Sequence, residues 1–468
     1  MKITSVRLGR ISVPLRTPFK TALRSVSSVE DVIVEIHTDC GAVGYGEAPP
    51  TGAITGDTTG AIIGAIQDHI AKTIIGRDVD ELEPLLQSVQ KCIVGNSSAK
   101  AAVDMALWDL YGQLYNIPVY KLLGGGRKQI VTDITISVND PDTMVSDSLK
   151  AVARGYDCLK MKVGVNPELD VARLSAVRNA VGKDIVIRID ANQAWTPKQA
   201  VKILNKMQEL GLDIELVEQP VSAHDFAGLK YVTDRSYVPV LADEAVFSPE
   251  NAMTILQMGA ADLINIKLMK CGGIYNALKI ASAAEVFGVE CMIGCMLEAK
   301  ISVNAAVHLA CAKNIITKVD LDGPVLCSED PILGGAAFDE KIITVADAPG
   351  VLFQIFVDVC SCLLRLQVQN DGNFTDQELL RVVEKIFVAQ VNLSPRGALV
   401  GLVAVKCMYH AHDFFAVAAA DLERVDGAAI GRPRQLVDVD ERKFAPQPPE
   451  VFRLPLRRKI ARYFQTTV

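Results

Sequence analysis

Five apolar runs in the middle of this chain end on charged side chains at a nearly constant interval. Lys160 and Lys162 close the first run, and from Lys162 the steps to Asp190, Glu218, Asp243 and Lys267 are 28, 28, 25 and 24 residues. Each step is long enough for one strand and one helix, which is what a crossover between neighbouring parallel strands requires. Seven or eight such units close a βα barrel, and a barrel gathers the groups at the C-terminal ends of its strands at one mouth. The pattern predicts strands over 157–163, 185–191, 214–217, 238–242, 263–268 and 289–294, with a weaker one over 318–321. Helices are expected between them over 168–181, 197–210, 248–258, 275–287 and 299–312. Pro197 and Pro249 fall in first turns, where the proline ring is tolerated.

The first 125 residues lack this rhythm. Strands are expected over 3–13 and 32–37, with 41–47 pairing to the second, then helices over 59–75, 81–92 and 98–115. That is an α+β unit. Two of its segments, 17–28 and the polar loop 49–60 (PPTGAITGDTTG), are expected to be mobile covers for a site. Residues 126–324 are read as the barrel, 325–350 as a return segment to the N-terminal unit, and 351–468 as an extra region of unknown role. That last region carries a capping box, Thr375 to Glu378, opening a helix to about 390, and an apolar stretch over 396–417. Its final stretch, 451–468, holds five basic residues and no acids, which suits surface packing.

Half the residues are hydrophobic and 22% are charged, enough to bury a large core. The net charge of −7 argues against nucleic acid or an anionic membrane as the main partner. Eleven cysteines, odd in number and irregular in spacing, read as buried thiols in a reducing cytosol. The close pairs Cys291 with Cys295 and Cys360 with Cys362 have no partner pair at zinc-site spacing. The start, MKITSVRLGRISVPL, alternates like a strand rather than running apolar like a signal peptide. No run reaches the ~18 apolar residues of a membrane span; the longest candidate, 351–364, is broken by Asp358. A cytoplasmic protein is expected.

In LKMKV, alternation sends Lys160 and Lys162 to one face and Leu159, Met161 and Val163 to the other. Within a barrel the apolar face packs under helices, so the lysines enter the interior, where two like charges are costly unless anions offset them. RIDAN supplies Asp190, VEQP supplies Glu218 and ADEA supplies Asp243 beside Glu244. A lone carboxylate at a strand end is ordinarily a helix cap or a solvated loop residue. Three at matching ends of consecutive strands suit a hard divalent cation, Mg²⁺ or Mn²⁺, and should converge on it. INIKLMKCGG then turns Asn265 and Lys267 inward and leaves Lys270 in a loop, expected to be solvated. Lysines on strands two and six would face each other across the cation, an arrangement fitted to removing a proton from one side of a carbon and returning one to the other. A C–H beside a carboxylate is a very weak acid, and a dication can hold the enediolate charge that forms. The neighbouring cations, Mg²⁺ and Lys160, should bring Lys162 down from lysine's usual value near ~10.4.

At these residues the chain resembles the enolase superfamily, in its muconate-lactonizing-enzyme-like subgroup. The KxK pair, the acid triad and the opposing Lys267 carry the resemblance, which covers residues 1 to about 350. It implies an α+β cap on a modified (β/α)7β barrel, with the site between them. Within the subgroup the chain is most similar to dipeptide epimerases acting on L-Ala-D/L-Glu. IGCMLEAKISV places Glu298 after the seventh strand as in those enzymes. KVDLDGP matches their Asp-x-Asp motif, implying that Asp320 and Asp322 bind the substrate's free ammonium. FKTALR matches a cap loop whose arginine meets the glutamate side-chain carboxylate, implying that role for Arg24. Ile54 and Thr55 fall in the second cap loop, and Thr135, Lys160 and Glu298 complete the implied substrate contacts. The resemblance further implies a role in cell-wall peptide recycling and a homo-oligomer. The competing readings are another subgroup activity (N-acylamino-acid racemase, o-succinylbenzoate synthase or muconate cycloisomerase) and a non-catalytic barrel that binds or scaffolds. Residues 351–468 lie outside the family pattern.

Overall fold

Neighbouring strands in the computed structural model follow the sequence one after another, all parallel, from Ile134–Ile136 to Ile316–Asp320. The structure describes residues 1–350 and the backbone of the short strand Gln354–Ile355. The helix expected from Thr375 and the apolar and basic stretches beyond it lie outside the described residues. The eight barrel strands are Ile134–Ile136, Cys158–Lys162, Val186–Asp190, Ile214–Glu218, Val240–Ala242, Leu263–Lys267, Glu290–Gly294 and Ile316–Asp320. The first and last approach each other. Asp133 N donates to Val319 O at 3.3 Å and Leu321 N to the Thr132 hydroxyl at 2.9 Å, so the sheet is nearly closed.

The helices outside this sheet form for local reasons. Four of them, Pro141–Ala153, Pro167–Val181, Pro197–Glu209 and Pro249–Met258, open with proline in the first turn. Each is preceded by a residue whose side chain accepts a first-turn N–H: Asp140, Asn166, Thr196 or Ser248. The first of these, together with the eight-residue helix Phe226–Thr233 and the three-residue first strand, goes beyond the sequence reading. The eight-residue helix and the three-residue strand hold too few residues for a period to emerge.

The N-terminal unit is an antiparallel sheet of Ile3–Lys20, Ser25–Thr38 and Val43–Ala48 against the helix Ser97–Tyr115. Its first two strands are longer than expected. Residues 17–28 are not a loop but the end of a ribbon paired out to Lys20 and Ser25 and closed by Thr21 N donating to Arg24 O at 2.9 Å. Backbone pairing continued past the apolar alternation, which is the part a sequence displays. Gly44 and Gly46 let the third strand lie against the helix, since a Cβ there would stand 2.3 Å from Ala106 O and 1.8 Å from Ala102 O.

Cap and barrel belong to one compact unit and share helix termini. The barrel helix Ile274–Phe287 follows Gly273, at φ +112°, and has no side-chain cap of its own. Asp104, from the cap helix, accepts from Ile274 N at 2.6 Å and Tyr275 N at 3.2 Å. The helix Lys300–Ala312 likewise borrows acids: Ala299 N donates to Asp31 at 3.1 Å and Glu47 at 3.0 Å, and Ser302 N to Glu47 at 2.7 Å. Unpaired first-turn N–H groups and the helix dipole both favour carboxylates at these ends.

Burial pushes the Asp104 carboxyl up to about 8, against the pull of its two N–H donors. An acid raised in the fold contributes stability fully below its unfolded value, about 3.9, and loses it as pH climbs to the folded one. Asp104→Asn, neutral throughout, should therefore gain on the native chain between about pH 5 and about pH 8, by at most roughly 1.4 kcal/mol per pH unit. Urea unfolding at both pH values checks this, and a pH-independent difference would contradict it.

Candidate active site

The C-terminal ends of strands two to six and eight bring four lysines and at least four acids together below the cap. Lys160 and Lys162 sit on alternate residues of strand two, so both face inward while Leu159 and Met161 pack outward into the core. The Lys160 ammonium lies 2.7 Å from Glu218 and 3.4 Å from Asp190 and donates to Asp320 at 2.5 Å. Lys162 donates to Asp190 at 2.6 Å and stands 5.9 Å from the centre of the Phe19 ring. Lys267, on strand six, donates to Asp243 at 2.8 Å and lies 3.5 Å from Glu218. Asp190 and Glu218 are fully buried and Asp243 is 1% exposed.

The loops after strands three and four hold these acids in place. Asn192 N donates to Asp190 at 2.9 Å, and the Gln219 side-chain oxygen accepts from Asp243 N and Ala245 N at 2.9 and 3.0 Å. Asn192 and Gln219 take φ of +42° and +35°, the left-handed region that non-glycine residues seldom enter. Asn265 faces inward as expected and donates to Glu218 at 2.9 Å. Gln219 is a site residue that the sequence reading missed; its place beside Glu218 in VEQP is the available signal.

Lys270 differs from expectation. It is not a solvated loop residue but is 1% exposed, in the one-turn helix Leu268–Cys271, with its ammonium 2.6 Å from Asp243. The helical turn folds the side chain back under strands five and six, where it also donates to the carbonyls of Asp243 and Asn265.

One cleft above these groups is lined by Phe19, Arg24, Ile54, Thr135, Lys160, Lys162, Asp243, Lys267, Asp320 and Asp322. Asp190 and Glu218 lie beneath its surface. Thr135 N donates to Asp322 at 2.7 Å. Thr55 is outside the lining, its hydroxyl turned to Thr51 O at 3.2 Å, and Glu298 is buried beside it, accepting from Met296 N at 2.6 Å.

The charges are strongly biased. Burial opposes charge on Lys160, yet Asp320, Glu218 and Asp190 outweigh it and hold the ammonium well above lysine's usual range. Asp243 and Glu218 do the same for Lys267. Burial also works against charge on Asp320, but Lys160, Lys267 and Lys162 hold it at about 2, whereas burial and the charge of Asp320 push Asp322 up to about 6. Burial, then the charges of Asp243 and Asp190, push Glu244 up to about 8.

Asp190, Glu218 and Asp243 form an all-oxygen donor set on adjacent strands, the kind a hard divalent cation takes. A buried Glu244 oxygen and the Asn192 side-chain oxygen have no hydrogen-bond partner, so further oxygen donors stand close by. By donor chemistry the site fits such a cation. The three acids are not, however, gathered around one point: among the described residues no three His, Cys, Asp or Glu side chains are so arranged, and lysines bridge neighbouring acids instead.

The N-terminal domain model of mandelate racemase / muconate lactonizing enzyme matches residues 3–124, and the enolase C-terminal domain-like model matches residues 144–358. The chain belongs to the enolase superfamily. It is 58% identical to the L-Ala-D/L-Glu epimerase of Clostridium acetobutylicum over 351 residues, 75% of this chain and 98% of that one. It is 43% identical to a hydrophobic dipeptide epimerase of Enterococcus faecalis, over 75% and 99% of the two chains. A substrate-liganded structure of the Bacillus subtilis L-Ala-D/L-Glu epimerase matches with a TM-score of 0.75 at 47% identity, covering 75% of this chain and 99% of that one. This enolase-superfamily chain is an isomerase of the racemase and epimerase kind.

Replacing Lys160 by methionine removes an ammonium that touches Asp190, Glu218 and Asp320 and leaves buried charge unpaired. Urea unfolding without added metal should show a loss of roughly 3–5 kcal/mol; a loss below about 1 kcal/mol would mean that the acids do not depend on this lysine.

Proposed function

We propose that the protein is a Mg²⁺-dependent dipeptide epimerase of the L-Ala-D/L-Glu type, inverting the α-carbon of the C-terminal residue by proton transfer between two lysines. The observation that carries this is that Lys162, Lys267, Asp320, Asp322 and Arg24 all line one cleft. Two opposed amines serve inversion, and two acids and an arginine suit a substrate with a free ammonium and an extra carboxylate. Relatives named as epimerases of such dipeptides support the same reading.

In this reading Asp190, Glu218 and Asp243 would hold the cation. When bound, Mg²⁺ supplies positive charge against the negative charge that develops on the substrate carboxylate. Structures of the dipeptide epimerases of Enterococcus faecalis and Cytophaga hutchinsonii contain Mg and a dipeptide. Lys162 and Lys267 stand on strands two and six, facing opposite sides of the substrate carbon. The neutral amine takes the α-proton on one face, and the ammonium of the other lysine delivers a proton to the opposite face. Lys267, which donates to Asp243 at 2.8 Å, is the proton donor when Lys162 abstracts. The reverse inversion exchanges the two roles.

Asp320 and Asp322 bind the substrate ammonium, and Arg24 binds the side-chain carboxylate. Burial lowers the Arg24 pKa while nearby Asp31 opposes that, so its charge stands in a poorly solvated place where a carboxylate partner is well received. Ile54 and Thr135 shape the cleft, and Thr55 and Glu298 support its loops. Residues 1–125 act as the cap, 126–324 as the catalytic barrel and 325–350 as the return segment. In the same reading Mn²⁺ substitutes for Mg²⁺, and the enzyme works as a homo-oligomer in the cytoplasm, in the recycling of cell-wall peptide. Among the described residues no helix is long and apolar enough to cross a membrane.

Activity on L-Ala-L-Glu should vanish with a chelator and return with Mg²⁺. A charged hydrogen bond of roughly 1.5–3 kcal/mol corresponds to about ten- to a hundredfold. N-acetylation of the dipeptide should therefore cut kcat/KM by at least about tenfold. An acetylated dipeptide turned over as well as the free one would replace this proposal with an N-acylamino-acid racemase.

A further inference from the structure

Lys270 is a buried charge that neither the base pair nor the substrate contacts use. Its ammonium lies 2.6 Å from the Asp243 carboxylate as an ion pair, and it donates to the Asp243 carbonyl and, at 3.0 Å, to the Asn265 carbonyl. These oxygens belong to Asp243, just past strand five, and to Asn265, within strand six. The Asp243 carboxylate is thus divided, with Oδ1 on Lys270 and Oδ2 on Lys267. The two lysines are not equivalent, because Lys267 lines the cleft and Lys270 does not. The turn bearing Lys270 is pinned from the cap: Gln90 donates to Gly272 O at 2.6 Å, and Asp104 accepts the N–H groups that follow Gly273.

We propose that Lys270 is a positioning residue that fixes Asp243 through Oδ1 and so presents Oδ2 to the cleft, where Lys267 and a divalent cation contend for it. The inference rests on the reading of Asp243 as a cation ligand. Coulomb's law alone gives the opposite expectation, since removing a positive charge beside a ligand should tighten the binding of a dication. Weaker binding after its removal therefore reports lost positioning.

Calorimetric titration of the full-length protein with Mg²⁺ decides between these. Native protein, Asp243→Asn, Lys270→Met and Lys270→Gln are compared, each checked for folding by circular dichroism. The glutamine variant retains a donor without the charge and serves if the methionine variant does not fold. Mg²⁺ should bind Lys270→Met at least about tenfold more weakly than native protein, with Lys270→Gln between them. Native protein that needs Asp243 for binding, with Lys270 variants binding equally or more tightly, overturns the positioning role alone. Native protein that binds no Mg²⁺, or binds it without Asp243, overturns the cation reading and this inference with it.

Discussion

The buried exchange of charge between lysines and acids at the barrel mouth is the constraint on which the rest depends. Asp190, Glu218, Asp243 and Asp320 sit at most 4% exposed, and none could stay ionised there alone. Lys160, Lys162, Lys267 and Lys270 neutralise them at hydrogen-bond range. Paired charge of this kind adds little net stability compared with an apolar core. Its consequence is chemical. A set of amines and carboxylates that share charge so closely is poised to respond to any cation or substrate that enters.

The cap depends on the same principle in another form. It supplies Asp104, Asp31 and Glu47 to first-turn N–H groups of barrel helices that carry no side-chain cap of their own. Those helices follow strands six and seven, beside Lys267 and Glu298. The unit that brings Arg24 and Ile54 over the cleft is thereby tied to the strands that carry the barrel's half of the site.

The barrel and its charged ends were legible because spacing and alternation are properties of the sequence itself. Lys160 and Lys162 face inward for the reason that Leu159 and Met161 face outward, and this needs no tertiary knowledge. Lys270 was illegible because its burial is decided by a one-turn helix, four residues long, that no periodicity reveals. The ribbon over 17–28 was missed because backbone pairing carried the strands past their apolar alternation. The pairing of acids with lysines, rather than their convergence on one point, follows from distances that spacing cannot supply. Asp320, to which the resemblance assigns a substrate ammonium, is a partner of Lys160 in the structure.

The central claim is that Lys162 and Lys267 exchange the α-proton from opposite faces of one carbon. Its most direct test is deuterium incorporation from D₂O, with Mg²⁺ present, into L-Ala-L-Glu and L-Ala-D-Glu, using Lys162→Ala and Lys267→Ala. Both variants should lose epimerisation, and each should exchange the α-proton of only one of the two dipeptides, with opposite preference. If both exchange the same dipeptide, or neither variant nor the native protein exchanges any, the account of two opposed lysine bases is contradicted.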